Sequence, residues 1–340
     1  RRPYVYDLTT ENHHFGVGPG ALIVHNTDSL FIAFRPKGPD GKRLTGWDSV
    51  MASVEIGEEA GHLISSTLKT PQDFEFDKVF WPFVLISKKR YIGHMYEEPE
   101  KGRESYKVKP MGIALKRRDN APIVKEIYGG AVSSILKKKS IFAACEFIKE
   151  KLDDLASGEI PLRKLTISKS LKATYANRAS IAHAVLADRI GAREPGSEPQ
   201  SGDRMSFAYI LPPKGTVAKT QGDRIETIPF IEDNRLKIDY MYYITNQILN
   251  PVGQFMAVML ESIPGFSRLG RSPRYYEAAE AKERERQMKT TGRIDERKVV
   301  KAIEKVRMAD VQRLLFDDAI IKVENESRRQ TTLGMLKRAS

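Results

Sequence analysis

Five consecutive residues, His25-Asn26-Thr27-Asp28-Ser29, combine groups that could perform two kinds of chemistry. The side-chain amide of Asn26 can attack its own carbonyl carbon, which closes a five-membered succinimide and cuts the bond to Thr27. That reaction needs enforced proximity and a proton donor for the leaving amine, and the imidazole of His25 can supply the proton near neutral pH. The hydroxyl of Thr27 can accept an acyl group as an ester. Asp28 is either a turn cap or a metal ligand, and the local sequence leaves both open.

The segment before Thr27 resembles the C-terminal end of an intein. The residues that carry the resemblance are Tyr4-Val5-Tyr6-Asp7-Leu8, His13, Phe15 and Val24-His25-Asn26. By this resemblance Asn26 cyclises, His25 and His13 serve as proton donors, Thr27 accepts the upstream segment, and no cofactor is needed. Residues 1–26 would then end a β-rich splicing (Hint-type) domain, whose N-terminal half is not in this chain. The alternative is an ordinary β-hairpin that ends in His-Asn.

The elements that follow Asn26 must position Asp28 and a later basic cluster. We expect an apolar strand directly after Asp28, a helix over 48–69, and a pair of strands within 74–86 bent at Pro82. The second strand leads into Lys88-Lys89-Arg90-Tyr91. Cations and an aromatic ring at a strand end suit phosphates and a duplex groove. A charged edge strand that prevents aggregation is the alternative.

Composition points to a nucleic-acid partner. The formal net charge is +12, and 41% of the residues are hydrophobic, which is enough for real cores.

The single cysteine, Cys145, excludes an internal disulfide and a cysteine-rich zinc module, and we expect a buried thiol. No apolar run approaches the roughly 20 residues that span a bilayer, so we expect no membrane contact and an intracellular setting, in the nucleus or at a cytoplasmic viral replication site. The start, Arg1-Arg2-Pro3, has no initiator Met, so we expect a chain cut from something longer.

In combination, these segments resemble the family B DNA polymerases. Thr27-Asp28-Ser29 is similar to the second half of the Tyr-Gly-Asp-Thr-Asp-Ser motif, and residues 83–93 are similar to the Lys-Lys-Arg-Tyr element of the delta-type replicative enzymes. Further similar segments follow in family order at 111–113, 117–122, 165–169, 182–187, 202–204 and 239–243. The resemblance covers roughly residues 27 to 260, and an ordered series of that length is far more specific than one motif.

The resemblance implies a two-metal mechanism, with two Mg²⁺ ions about 3.5–4 Å apart held by carboxylates. Asp28 is the expected ligand in this chain, and its partner acids are not in it. The implied substrates are primer–template DNA and dNTPs, and the implied partner is the remaining N-terminal polymerase and intein portion. The residues expected to bind DNA are Lys88, Lys89, Arg90 and Tyr91 at the primer end, with Arg117, Arg118, Lys169, His183 and Arg204 as secondary contacts.

We therefore expect an α+β chain of four parts: an intein C-terminal segment (1–26), the end of a polymerase palm with an antiparallel sheet and a helix (27–116), a mostly helical thumb (117–262) and a basic helical extension (263–340). In the thumb, Asn120 should cap a helix and Ser140 should cap a second one that stops at Gly158. Residues 177–193 and 237–261 should be helical, and two short amphipathic helices should cover 297–306 and 308–317.

The last residues allow two readings. Residues 330–337 resemble a degenerate sliding-clamp-binding peptide that lacks the usual aromatic pair, and a frayed polar terminus is the alternative. Two other functions also remain open for the whole chain. It could be the C-terminal half of a split intein that performs trans-splicing, or a DNA-binding thumb protein without catalysis.

Overall fold

The computed structural model describes residues 14–17, 22–25, 30–87, 89–113, 119–212, 218 and 220–339, with the backbone alone at 14–17, 22–25, 273 and 330–339. The chain divides into two compact units. The first comprises residues 1–79 and 96–106, and the second comprises residues 80–95 and 107–340. Asp28, Asn26, Thr27, His13, Lys88, Arg117 and Arg118 lie outside the described residues.

The described elements mix helices with small sheets. In chain order they are β1 (His14–Val17), β2 (Leu22–His25), α1 (Gly46–Ser65), β3 (Val79–Ser87), β4 (Arg90–Tyr96), β5 (Lys107–Met111), α2 (Pro122–Leu136), α3 (Ile141–Ala156), α4 (Leu162–Leu165), β6 (Ile167–Ser170), α5 (Ala182–Arg193), β7 (Arg204–Tyr209), β8 (Ile225–Thr227), α6 (Ile228–Asp233), α7 (Tyr240–Tyr242), α8 (Leu249–Ala257), α9 (Pro273–Thr291), α10 (Glu296–Leu315) and α11 (Asp317–Ala339). A π-helix covers Tyr243–Ile248, and single 3₁₀ turns cover Pro99–Lys101, Arg178–Ser180, Gln221–Arg224, Leu260–Ser262 and Phe266–Leu269. The predicted α+β class is confirmed.

The strands form three small sheets, in the orders β1-β2, β3-β4-β5 and β6-β7-β8. The β4–β5 pair is antiparallel, with Tyr91 opposite Met111 and His94 opposite Val108. β3 lies at the edge of its sheet, where a proline costs no ladder hydrogen bond. This explains why Pro82 sits inside one continuous strand. The predicted pair of strands bent at Pro82 is therefore wrong.

The predicted apolar strand after Asp28 is also wrong. Residues 30–36 form no strand, and the side chains of Leu30, Phe31 and Ile32 are 62%, 54% and 55% exposed. An isolated extended segment leaves its backbone groups unpaired, so a strand forms only where another strand lies beside it. In the described part of the chain no strand runs beside this segment. Apolar content alone therefore did not decide its structure.

The first unit is built on α1. Residue Ser65 at its end is hydrogen-bonded twice to the backbone of Phe74: the Ser65 hydroxyl donates to the carbonyl oxygen at 2.9 Å, and the Phe74 N–H donates to the hydroxyl at 2.7 Å. At the other end, the ring of Trp47 meets Tyr96 edge-on at 5.0 Å. The helix predicted over 48–69 is confirmed, although it ends at Ser65.

The second unit begins its helical part with α2 and α3. Ser140 caps α3 as predicted, since its hydroxyl accepts a hydrogen bond from the N–H of Ala143 at 3.0 Å. The predicted cap of α2 at Asn120 is wrong. The N-cap is Ala121, and Pro122 begins the helix with its φ already suited to it. Cys145 on α3 is 2% exposed, as predicted, and burial raises the pKa of its thiol to about 11.

Tyr243, in the π-helix, connects the β6-β7-β8 sheet to the helices. The N–H of Tyr209 donates to the Tyr243 hydroxyl at 3.0 Å, and that hydroxyl donates to the carbonyl oxygen of Leu165 at 2.7 Å. The buried Asp239 accepts a hydrogen bond from the N–H of Tyr242 at the start of α7. The helical prediction for 237–261 is confirmed from Tyr240 onward, while Ile238 forms an isolated β-bridge with Ile210. The helix predicted over 177–193 begins only at Ala182.

The C-terminal helices pack onto the same core. Val311, Leu315 and Phe316 are buried in one hydrophobic cluster with residues of α2 and α3. The two short helices predicted over 297–306 and 308–317 are a single helix, α10, and Arg307 between them donates hydrogen bonds to the carbonyl oxygen of Ala257 and to the carboxylate of Glu261. The backbone of α11 is helical through Ala339, and the two readings of the last residues both stay predictions. None of the helices in the described ranges is both long and apolar enough to cross a bilayer.

Candidate nucleic-acid interface

The turn between β3 and β4 carries the described part of the predicted primer-binding cluster. Lys89 is exposed and has a φ of 61°, and Arg90 begins β4. Gly112, just after β5, lies against this turn with a φ of 62°, and a Cβ at that position would overlap the carbonyl oxygen of Lys89. Only glycine satisfies both the backbone angle and the close approach. The turn is therefore shaped by a residue 23 positions later.

Arg90 is held by a helix that lies far away in the chain. Its guanidinium donates a hydrogen bond to the side-chain oxygen of Gln254 on α8, at 2.6 Å. Tyr128 on α2 packs its ring against Phe255 at 5.2 Å, beside the same contact. Burial raises the pKa of Tyr128 above its usual range, and the positive charge of Arg90 opposes that rise. Arg90, one of the predicted DNA-binding residues, is therefore held between β4 and the helices α2 and α8.

Tyr91 belongs to an aromatic cluster on β3 and β4. Its ring lies 5.9 Å from that of Phe80 and 5.5 Å from that of Phe83. Gly93 lies beneath this cluster, and a Cβ there would come within 2.8 Å of the carbonyl oxygen of Pro82. The half-buried ring of Tyr91 therefore lies beside the basic turn in an orientation that packing against Phe80 and Phe83 determines.

Lys169 and Arg204 lie on opposite faces of the β6-β7-β8 sheet. In the antiparallel register Lys169 is opposite Met205, and Ser170 is opposite Arg204. Because successive side chains alternate between faces, Arg204 shares a face with Ser168 and Ser170. Its guanidinium donates to the carbonyl oxygen of Ser168 at 3.0 Å and to the Ser168 hydroxyl at 3.2 Å. The two predicted cations are neighbours that do not converge on one face.

His183 lies on the face that holds Lys169. Its ring is stacked parallel to Phe207 at 6.5 Å, and its Nε2 lies 3.1 Å from the hydroxyl of Tyr175. Burial lowers the pKa of His183, and the positive charges of Lys169 and Arg178 lower it further, while a hydrogen bond with the backbone of Ser170 opposes them. The structure therefore brings Lys169 and His183 together.

This geometry agrees with the comparison to known families. The sequence model of DNA polymerase family B matches residues 22–259, which is more than half of the chain and includes the β3-β4-β5 and β6-β7-β8 sheets. The chain belongs to DNA polymerase family B.

Among similar family B polymerases are two viral DNA polymerases. The chain is 44% identical over 262 residues to that of Acanthamoeba polyphaga mimivirus, covering 76% of this chain and 15% of the relative. It is 40% identical over 311 residues to that of Pyramimonas orientalis virus, covering 90% and 24%. The DNA polymerase delta catalytic subunit of Candida albicans is 32% identical over 244 residues, covering 70% and 21%. The chain thus spans at most about a quarter of these relatives' lengths.

The catalytic and metal-binding predictions for this polymerase chain fall outside what the structure describes. Asp28, Asn26, Thr27 and His13 are not described, and His25 is described only as backbone in β2. Among described side chains, no group of three or more His, Cys, Asp or Glu residues could hold a metal ion. The role of Asp28 therefore stays a prediction.

Two further lysines of the second unit, Lys139 and Lys164, have partners inside the protein. The ammonium of Lys139 lies 4.0 Å from the centre of the Trp81 ring, and that of Lys164 lies 2.8 Å from a carboxylate oxygen of Glu126. Sequence reasoning missed Gln254, whose neutral side chain in a helix carries no signal of its own. Only its contact with Arg90 reveals it.

Proposed function

We propose that this chain is the palm-end and thumb portion of a replicative DNA-directed DNA polymerase and grips the primer end of the duplex. The observation that carries the proposal is the basic turn at Lys89 and Arg90, fixed by Gly112 and tied to the helical part through Gln254. Membership of family B and the similarity to delta catalytic subunits support it. Phosphate contacts by the exposed cations would hold the duplex in register.

In the proposed reaction the residues of this chain chiefly orient the DNA. Lys89 and Arg90 bind primer phosphates, and Tyr91 with its aromatic neighbours limits the positions that the primer end can take. Lys169 and His183 bind a second part of the duplex backbone. Mg²⁺ would supply Lewis-acid activation at the complete site. We keep Asp28 as the proposed carboxylate that this chain contributes there.

The test is primer extension by the polymerase assembled from this chain and the segment that precedes it. Asp28→Ala should lower extension about a hundredfold or more, since a metal ion contributes several kcal/mol to the barrier, while duplex binding persists. The matched control is Asp40→Ala, which removes an exposed carboxylate whose contacts stay within its own turn: the Lys42 N–H donates to it at 3.0 Å, and the Lys42 ammonium lies 3.6 Å away. Extension by Asp28→Ala at the rate of the control would reject the metal-ligand role. Duplex binding without extension by the unmutated assembly would favour the non-catalytic alternative.

A second candidate function, excision of residues 1–26 by Asn26 cyclisation, is supported by the backbone pairing of β1 and β2. In this antiparallel pair His14 is opposite His25, so the two segments that resemble intein motifs are adjacent. Asn26→Ala should block release of the segment before Thr27, whereas Asn12→Ala, a neutral change of the same kind, should not. Intact-mass measurement of both variants checks this. Unchanged cleavage in Asn26→Ala removes the splicing proposal, and ligation to a separately supplied intein half would favour trans-splicing.

A further inference from the structure

A groove of about 450 Å³ lies between α8 and α10. Arg307 fixes its two walls to each other, donating to the carbonyl oxygen of Ala257 at 2.7 Å and pairing with both carboxylate oxygens of Glu261 at 2.7 and 2.9 Å. These partners lie at the end of α8 and just beyond it. The contacts of Arg307 therefore hold the two helices that form the groove in a fixed relation to each other.

The floor and walls include apolar side chains such as Leu249 and Met308, and each wall also carries polar or charged groups. Asn250 and Gln254 stand on α8, and Lys301 and Lys305 stand on α10. Each pair is separated by four residues, so its members are about 6 Å apart along one face of their helix. Both lysines are exposed, and in the described part of the chain no carboxylate lies within ion-pair distance of either ammonium. The half-buried Glu304 is the acidic residue of the lining.

Gln254 makes this groove continuous with the predicted primer-binding turn. It lines the groove and also accepts the hydrogen bond from Arg90. The side-chain amide of Gln254 therefore links Arg90 of the turn to the groove that Lys301 and Lys305 line. Lys301 and Lys305 lie beyond residue 259, where the match to the family ends.

We propose that the groove between α8 and α10 binds the phosphate backbone of the primer–template duplex, with Lys301 and Lys305 as its cations. This inference rests on the proposed DNA-binding function. Ammonium groups and side-chain amides in two rows are donors for phosphate oxygens and carry no base specificity. The groove would lengthen the footprint that begins at Arg90, and it would bind all sequences alike.

The test compares binding of a labelled primer–template duplex by the full chain over a range of salt concentrations. Each neutralised phosphate contributes about 0.9 to the slope of log K against log salt, so Lys301→Ala/Lys305→Ala should lower the slope by about 1.8 and weaken binding. The control Lys282→Ala/Lys289→Ala removes two exposed lysines of α9 and lowers the net charge equally. Lys301→Arg/Lys305→Arg should keep the wild-type slope.

The outcomes separate the two proposals. A lower slope in the alanine pair, with the control and arginine pairs unchanged, supports the groove. Duplex binding by the wild type with equal slopes in both alanine pairs overturns the groove and leaves the DNA-binding function standing. Absence of duplex binding by the wild type overturns both. Circular dichroism and thermal unfolding of each variant serve as the control that its fold is kept.

Discussion

Arg90 and Gln254 are 164 residues apart in the chain, and their side chains meet at 2.6 Å. The contact joins the first residue of β4 to α8, so a residue of the predicted primer-binding turn depends on a helix for its orientation. The Gln254 oxygen accepts without cancelling the charge of Arg90. The guanidinium therefore remains a cation, with its remaining N–H groups available to a ligand.

Changing Gln254 should alter DNA binding in two distinguishable ways. Gln254→Leu removes the acceptor and should weaken duplex binding about two- to tenfold, which corresponds to the roughly 0.5–1.5 kcal/mol of one hydrogen bond. Gln254→Glu keeps the bond but neutralises Arg90, so it should also lower the salt slope by about 0.9. Fluorescence anisotropy over a salt series measures both effects.

The charge-matched control for Gln254→Glu is Gln72→Glu, an exposed position in the first unit. It changes the net charge equally. If Gln254→Glu binds duplex with the same slope as this control, Arg90 does not contact phosphate.

Gly112→Ala should destabilise the second unit. Alanine at a positive φ costs about 1–2 kcal/mol, and its Cβ would also push against the carbonyl oxygen of Lys89. Chemical denaturation measures the loss of unfolding free energy, and weaker duplex binding should accompany it because the turn must move. Gly270 has the same φ of 62° with open space around its Cβ, so Gly270→Ala carries the backbone cost alone.

Equal losses in Gly112→Ala and Gly270→Ala would mean that the close approach to Lys89 has no energetic consequence. A larger loss in Gly112→Ala isolates the packing of β5 against the turn.

The stability of the second unit should depend on the protonation of His183. Its pKa is lowered in the folded chain, so the unfolded chain binds the proton more readily. The contribution of neutral His183 is present above about pH 6.5, the ordinary value for histidine, and is lost as the pH falls towards the folded pKa. Denaturation curves between pH 5 and 8 follow this loss.

In His183→Gln the part of the pH dependence that belongs to this ring should disappear. His62→Gln, on the exposed face of α1, serves as the matched control and should keep it. NMR titration of the His183 ring gives the direction of its pKa directly, and a value above 6.5 would contradict burial as the dominant cause.

Local pattern predicted much of the fold. The amphipathic spacing of α1, the Ser140 cap of α3 and the buried Cys145 follow from interactions within a few residues. The single helix α10 and the edge strand β3 were mispredicted at their boundaries, because tertiary packing continues an element past a local signal. The strand prediction for the apolar segment at residues 30–34 was wrong for another reason. A strand forms only beside a partner strand, and the local sequence does not show whether a partner is present.

For the candidate site, the sequence by itself determined the residue types: the basic turn at Lys89, the histidine at 183 and the order of family segments that identifies a family B polymerase. Only the tertiary structure decided that Gln254 holds Arg90, that Lys169 joins His183, and that Arg204 lies on the other face of the sheet. The physical reason is range. Residue identity and helical or strand periodicity are local, whereas a hydrogen bond between residues 164 positions apart exists only after the chain has folded.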